Sequence, residues 1–289
     1  MPTKLQVVTP HHTEKSQSCV AVIAERRYLS QSQPSGMIDA LKGQGHSVLV
    51  IDPEENTFTA QNLSWTQGID VVVARGRSWG VLLLLEWLER RGIRSVNSRS
   101  AIAAVHNKAE MTVALASAGI PIPRTVLGRP QHIAPQLAAE DFPVIVKPVF
   151  GDNCRGLEVV YSRDELAALR WPDPLAIVQK FIPGAPYDLK LYCIGREVWA
   201  VRKPSPLIGG VLPGQAMKSP ELAALTPAWE KLARRCGEVF GLELFGVDCI
   251  ETEDGLVVIE VNEFPNYSSV PGADEKLSNY VVASTRQEN

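Results

Sequence analysis

The chain has no CxxC pair. Its five cysteines, Cys19, Cys154, Cys193, Cys236 and Cys249, are odd in number and widely spread. This argues against a disulfide framework or a zinc knuckle and fits a reducing compartment. There is no GxxxxGK[ST] loop and no GxGxxG fingerprint, so neither a P-loop nor a dinucleotide-binding turn is expected. There is no marked charge of either sign. The formal net charge of −3 over 289 residues gives no global pull toward nucleic acid or anionic membrane. Aromatic residues make up 7% and do not interleave with a basic patch, so nucleic-acid binding has no support. No apolar run approaches the roughly 20 residues that a bilayer requires. The richest, Val81 to Leu88, is interrupted by Glu86 and reads as a buried helix. No apolar run follows the N-terminal lysine, so no signal peptide is expected, and the expected location is cytoplasmic. His11, His12, His46, His106 and His132 show no metal-ligand spacing and read as surface or packed residues.

What is present is ordinary globular composition, 45% hydrophobic and 21% charged, with length enough for two or three small domains. The first hundred residues alternate in type. CVAVIAE (Cys19–Glu25), HSVLVID (His46–Asp52) and DVVVARG (Asp70–Gly76) read as strands. SGMIDALKGQG (Ser35–Gly45) and WGVLLLLEWLERRG (Trp79–Gly92) read as helices stopped by glycine. This alternation predicts a parallel α/β sheet. An α+β segment follows, with a helix over Asn107–Gly119, the strands FPVIVKPV, GLEVVYS and LAIVQKFI, and a proline-rich junction at Ile182–Tyr187. The last segment holds the strands DLKLYCIG and REVWAVRK, a helix from Thr226 to Gly241, and the hairpin FGVDCIETEDGLVVIEVN. The expected domains are 1–105, 106–185 and 186–289.

The end of that hairpin, VIEVNEFPNYSSVPG (Val258–Gly272), poses a chemical problem. Side chains on a strand repeat every two residues, so Val257, Ile259 and Val261 should share one face, and Leu256, Val258, Glu260 and Asn262 the other. An acid on an apolar strand needs a cationic partner. With Glu253-Asp254-Gly255 as a three-residue loop, Asp248 stands opposite Glu260, about 5 Å apart at Cβ. Two close carboxylates and an amide oxygen suit a hard cation such as Mg²⁺. A solvated hairpin with unconnected carboxylates fits the same spacing. A slip of one residue would send Asp248 to the other face.

Lys147 sits inside the apolar strand VIVKPV, beside the glycine-edged loop FGDNCRG. A lysine there needs an anion, and such a loop can wrap phosphates with backbone N–H groups. A lysine reaching out from a strand edge beside an ordinary turn is the plainer reading. Lys108, which opens a helix, reads more simply as solvated.

In order and spacing these pieces resemble the ATP-grasp superfamily from about Arg75 to Tyr280. The resemblance rests on NKAEMTVALASAGIPIPRT, FPVIVKPVFGDNCRGLEVV, IVQKFIPG, DLKLYCIGREVWAVRK and FGVDCIETEDGLVVIEVNEFP. It implies an N-terminal parallel-sheet domain followed by two α+β lobes that hold ATP between them. It also implies Lys108 and Lys147 on the nucleotide phosphates, under a loop that runs from Gly151 through Asp152 and Asn153 to Gly156. Gln179 and Lys180 would lie along the adenine edge, with backbone groups of Phe181 and Ile182 on the base and Asp188 toward the ribose or substrate. Asp248, Glu260 and Asn262 match the family's magnesium ligands. Two positions depart from its pattern: Cys154 lies within the loop, and Lys180 stands where glutamate is common.

Two subfamilies are implied. RGIRSVNSRSAIAAVHNKAEM resembles RimK-type ligases, which activate a carboxylate as an acyl phosphate that an amine then attacks. AVRKPSP and VNEFPNYSSVPG also resemble inositol-phosphate kinases. The ligase is favoured because its resemblance extends into the N-terminal domain. A polyol or inositol-phosphate kinase is the alternative, and a non-catalytic nucleotide-binding protein the third reading. Arg75 and Arg77, after a strand and before a helix, could hold a substrate carboxylate or phosphate, although a surface salt-bridge pair fits as well. Lys190 and Lys203 join them as substrate candidates, and Arg202 could meet the transferred phosphate. The expected substrate is a small molecule or peptide with a carboxylate, and homo-oligomers are common among such ligases.

Overall fold

The structure is a computed structural model that describes residues 17–151, 156–182, 187–204 and 219–285. Its first layer is a parallel sheet of β1 (Cys19–Ala24), β2 (Ser47–Ile51), β3 (Val71–Arg75) and β4 (Arg94–Val96), in the order β2-β1-β3-β4. β3 is buried at every residue, as a parallel strand covered on both faces must be. The connecting helices are α1 (Arg26–Leu29), α2 (Ser32–Gly43) and α3 (Trp79–Arg90). α3 buries Val81, Leu82, Leu84, Leu85 and Leu88 as one stripe. α4 (Arg99–His106) and α5 (Lys108–Ser117) follow.

The second sheet is antiparallel and comprises β5 (Thr125–Gly128), β6 (Val144–Pro148), β7 (Glu158–Val160) and β8 (Ala176–Lys180), in the order β5-β8-β6-β7. α6 (Pro130–Ile133) and α7 (Arg163–Ala168) cover one face, where Val144, Val146, Val178 and Leu166 form its core.

The third sheet is β9 (Tyr187–Ile194), β10 (Glu197–Pro204), β11 (Glu221–Ala223), β12 (Leu244–Thr252) and β13 (Gly255–Glu263), in the order β11-β10-β9-β12-β13. α8 (Pro227–Phe240) packs on one face. Thr226 Oγ1 caps it by accepting the N–H of Trp229, Pro227 occupies its first turn, and Gly241 ends it in the left-handed conformation. Leu189, Leu191, Val247, Cys249, Val258 and Val261 meet α8 there. Met111 and Leu115 of α5 join the same core, so this helix, expected with the middle domain, packs on the last sheet. The opposite face buries Tyr192, Val201 and Leu244 against the first domain. α9 (Ala273–Ser284) returns to pack on α2. Among the described residues no helix is long and apolar enough to cross a membrane.

One side chain joins the first and third sheets. Asn97, fully buried, donates from Nδ2 to the Leu244 carbonyl at 2.7 Å, and its Oδ1 accepts the N–H groups of Glu243 and Leu244 at 2.6 and 2.8 Å. Replacing it with alanine strands the N–H groups of Glu243 and Leu244, while the Leu244 carbonyl keeps the N–H of Phe264 at 2.9 Å. Each stranded buried group costs about 1–3 kcal/mol, so Asn97→Ala is expected to lower stability by about 3 kcal/mol. Chemical denaturation should show a lower midpoint, and thermal melting a fall of at least about 5 °C.

Candidate active site

Asp248 does stand opposite Glu260, but by a route different from the expected one. The turn has two residues, since Thr252 pairs with Gly255 and Cys249 with Val258. That register alone would set Asp248 against Ile259. A β-bulge between Asp248 and Cys249 absorbs Ile259 and restores Asp248↔Glu260, Val247↔Val261 and Gly246↔Asn262. The bulge also corrects the expected faces. Leu256 and Val258 share the α8 core with Val261, while Glu260 and Asn262 project to the other side. Glu260 and Asn262 therefore leave the apolar face.

Each of Asp248, Glu260 and Asn262 meets a cation from another part of the chain. Lys190 Nζ lies 2.9 Å from Asp248 Oδ1, and Lys108 Nζ lies 3.2 Å from Glu260 Oε2. Arg77 donates to Asn262 Oδ1, and its guanidinium lies 3.6 Å from Glu260 Oε1. Asn262 Nδ2 donates to Asp248 Oδ2 at 2.7 Å. The Lys108 side chain is only 12% exposed, so the solvated-helix reading fails for it. Gly246 makes room for this packing, because a Cβ there would lie 3.0 Å from both Lys190 Cε and Pro265 Cγ. Among the described residues no three His, Cys, Asp or Glu side chains converge as a metal site. The candidate set is instead two carboxylates and an amide, all hard oxygen donors, in positions that already favour positive charge.

Arg77 reaches the site from the first domain, and the buried Glu25 holds its backbone. Glu25 Oε1 accepts the N–H groups of Arg77 and Ser78 at the start of α3, where unpaired N–H groups and the helix dipole favour an anion. Glu25 Oε2 meets Arg27 at 2.6 Å. Gly76 allows this approach, since a Cβ there would lie 2.6 Å from Glu25 Oε1. The sequence reading took Glu25 only as the end of a strand. Its backbone partners, Arg77 and Ser78, lie about 50 residues away, and the parallel pairing of β1 with β3 brings them together. Arg77 Nη1 also donates to the Gly151 carbonyl at 3.1 Å, and the Lys108 N–H to the Val149 carbonyl at 3.0 Å. These bonds tie the start of the loop to both neighbours.

The other basic candidates separate by strand parity. Arg75 is not open to a ligand: it is buried, donates to the Gln33 carbonyl and Gln31 Oε1, and lies over the rings of Tyr28 and Phe264. It clamps the first domain to the segment after β13. Arg202 pairs with Leu189, which belongs to the α8 core, and its guanidinium bonds Glu251 at 3.0 Å. It therefore faces away from Asp248 and Glu260, contrary to the role expected for it. Lys203 pairs with Asp188, and Lys190 with Asp248, so Lys203, Asp188 and Lys190 share the face that carries the oxygen ligands. Both ammonium groups lie over the Tyr192 ring, at 5.7 Å for Lys190 and 5.1 Å for Lys203. Burial disfavours the charge on Lys190, but the adjacent Asp248 carboxylate prevails and raises its pKa. Burial, then the charge of Lys190, holds Lys203 below the ordinary lysine value of 10.5. Burial pushes the Tyr192 hydroxyl up to about 12.

In the second sheet, Lys147 donates to Gln179 Oε1 at 2.5 Å, and Gln179 Nε2 donates to Thr125 Oγ1 at 3.0 Å. Gln179 pairs with Ile145 and Thr125, so Lys147, Gln179 and Thr125 share the face away from the α6–α7 core. Lys180 is on the other face. It pairs with Val144 and donates to the carbonyls of Glu140 and Phe142 at 2.8 and 3.1 Å, which removes it from the edge expected for it. The Phe181 N–H is committed to the Pro143 carbonyl at 3.0 Å, so it is no open donor for a base. Ile182 and Gly156 border described segments, whereas Asp152 and Asn153 lie outside the described residues.

A pocket of about 680 Å³ opens beside Arg77, between α3, the α4–α5 corner and Phe150–Gly151. His106 is in its wall, 3.3 Å from Glu263 Oε1. The side chains of His106 and Glu263 are 9% and 4% exposed. The 3.3 Å contact is made by His106 Nε2, while Glu263 Oε2 has no hydrogen-bond partner among the described residues. Sequence reading assigned no role to either.

With this geometry in place, comparison with known proteins is informative. A family model for the ATP-grasp domain matches residues 105–265. A probable alpha-L-glutamate ligase of Xanthomonas campestris pv. campestris (strain 8004) is 30% identical over 264 residues, 82% of this chain and 88% of the relative. The RimK domain protein ATP-grasp from Sphaerobacter thermophilus DSM 20745 has the same fold, with a TM-score of 0.74 at 21% identity, covering 92% of this chain and 98% of that one. The ATP-grasp ligase PsnB, in complex with minimal precursor, Mg and ADP, gives 0.69 at 19% identity, covering 92% and 97%.

Glu25 holds the strand end from which Arg77 projects, so its charge should count toward stability. Glu25→Gln keeps the shape and removes the charge. Hydrogen bonds to charged groups are worth about 1.5–3 kcal/mol, and a loss of that size is expected in the free energy of unfolding, read from the guanidinium midpoint. An unchanged midpoint would show that the carboxylate is not needed there.

Proposed function

The chain belongs to the ATP-grasp family, and from that premise we propose that it joins a carboxylate to an amine using ATP, releasing ADP and phosphate. Its three-sheet architecture is the ATP-grasp fold. The observation that carries the reading is the group of Asp248, Glu260 and Asn262, ringed by Lys108, Lys190 and Arg77 from three other elements. Its relatives along most of the chain, named as glutamate ligases, favour ligation over phosphorylation of a polyol.

In this reading ATP lies between the second and third sheets. Lys147, steadied by Gln179, and Lys108 meet its phosphates. Asp248, Glu260 and Asn262 would hold magnesium, which supplies charge neutralisation for phosphate oxygens. With magnesium on the carboxylates, Lys108 and Lys190 would be able to turn from them toward the phosphates, and neither side would be left with unpaired charge. A substrate carboxylate oxygen, oriented by Arg77, attacks the γ-phosphorus, and ADP leaves. The amine then attacks the acyl carbon, and phosphate leaves. Lys190 and Lys203, on the face that carries the ligands, stabilise the developing negative charge.

Glu260→Gln should lower turnover by about a hundredfold or more and, because it leaves Lys108 and Arg77 without their carboxylate, should also lower the melting temperature, with circular dichroism still showing a folded protein at the assay temperature. ADP release should depend on an added acid, and hydroxylamine should trap the activated acid as a hydroxamate. γ-Labelled ATP that leaves its label on an alcohol would mean a kinase instead.

The depressed Lys203 gives a second expectation. Its ammonium loses its proton earlier than an ordinary lysine as pH rises, so the alkaline limb of kcat/KM should fall below the lysine value of 10.5. Lys203→Arg should shift that limb upward, because arginine stays charged. A limb that does not move would remove Lys203 from the charge-stabilising role.

A further inference from the structure

The pocket beside Arg77 differs in character from the charged group it adjoins. Trp79 and Phe150 stand in its wall with 77% and 60% of their surface exposed, and Leu82 and Ala103 lie behind them. Large aromatic side chains left open in a concave site are what apolar ligand bodies pack against. The pocket is also connected to the chemistry. Arg77 forms part of its wall and at the same time bonds Asn262 and the Gly151 carbonyl. A group that fills the pocket and ends at Arg77 therefore ends at the oxygen ligands. His106, nine-tenths buried in the same wall, sets Nε2 3.3 Å from Glu263 Oε1, so the polar part of this wall is already turned toward a carboxylate and the open part is the aromatic one.

Resting on the ligase reading above, we propose that this pocket seats the acid substrate and selects a carboxylic acid with a bulky aromatic or aliphatic body over glutamate. The carboxylate lies at Arg77, and the body lies between Trp79 and Phe150. Glutamate fits this arrangement less well. It would leave the aromatic wall uncovered, and its second carboxylate, although Arg27 also lines the pocket, would be set near Glu110 and the apolar Leu82 and Ala103, where a charge is unfavourable. The position of Trp79 is well defined. It opens α3, and the neighbouring Gly80 packs so closely on Pro53 that a Cβ there would lie 2.9 Å from the proline Cβ.

The test uses the full chain with ATP, magnesium and hydroxylamine as the amine, and an acid panel of phenylalanine, N-acetylphenylalanine, leucine and glutamate. Hydroxamate formation is expected with the aromatic acids at a KM at least tenfold below that of glutamate. Trp79→Ala should raise the aromatic KM at least tenfold with kcat nearly unchanged. Trp79→Phe should restore it, and Mg·ATP affinity by calorimetry should be the same in all three proteins. Calorimetric titration of the aromatic acid should show the same loss and recovery, a readout independent of turnover. Glutamate used as well as the aromatic acids, or an equal effect of Trp79→Ala on both, overturns the selectivity and leaves the ligase reading standing. No hydroxamate from any acid, with label from γ-labelled ATP found on an alcohol, defeats the ligase reading itself. Absence of both hydroxamate and calorimetric binding for every aromatic acid also overturns the proposal.

Discussion

Partly buried carboxylates demand positive charge, and that demand organises the molecule. Asp248 and Glu260 stand side by side at the open end of a hairpin, where leaving either without a cation would be unfavourable. Each draws a cation from a distant stretch of chain: Lys190 from β9, Lys108 from the start of α5, and Arg77 from the end of β3. Removing one partner of such a pair costs about 3–5 kcal/mol when both are fully buried, and less here, where Asp248 is 30% exposed. The pairs hold Asp248, Glu260 and Asn262 in place and gather three cations beside them.

The first domain takes part through a second anion. Glu25 occupies the N-terminal end of α3 and fixes the backbone from which Arg77 projects. Arg75, two residues earlier, points the other way and clamps the domain to Phe264. Alternate residues of one strand end thus divide the work: one joins domains and the other reaches the charged group. Asn97 adds a neutral clamp at the neighbouring strand end. The pocket lined by Trp79 and Phe150 exists because these contacts bring α3 against the α4–α5 corner.

Residue type was more legible in the sequence than residue direction. An acid and an amide on an apolar strand, with an aspartate fourteen positions earlier, pointed to an oxygen-ligand site before any fold was known. The opposition of Asp248 and Glu260 was reached through a three-residue loop, whereas the chain uses a two-residue turn and a bulge at Ile259, two offsets that cancel. Val257, Val258 and Ile259 are all branched and apolar, so their side chains carried no mark of which one would be absorbed. Parity misled at two further places. Gln179 and Lys180 are neighbours, as are Arg202 and Lys203. In each pair one residue faces the shared site side and the other the helix-covered core. Which is which depends on the partner strand.

Composition, apolar periodicity and the stops at glycine and proline, all local, by themselves determined the alternation of the first domain, the helix that opens at Thr226 and the final hairpin. The tertiary structure alone decided the bulge, the inward cations at Lys108 and Arg77, the placing of Glu25 on α3 and the pocket beside it. Each of these joins residues far apart in the chain, and long-range pairing depends on strand order and register, which no local pattern of side chains encodes.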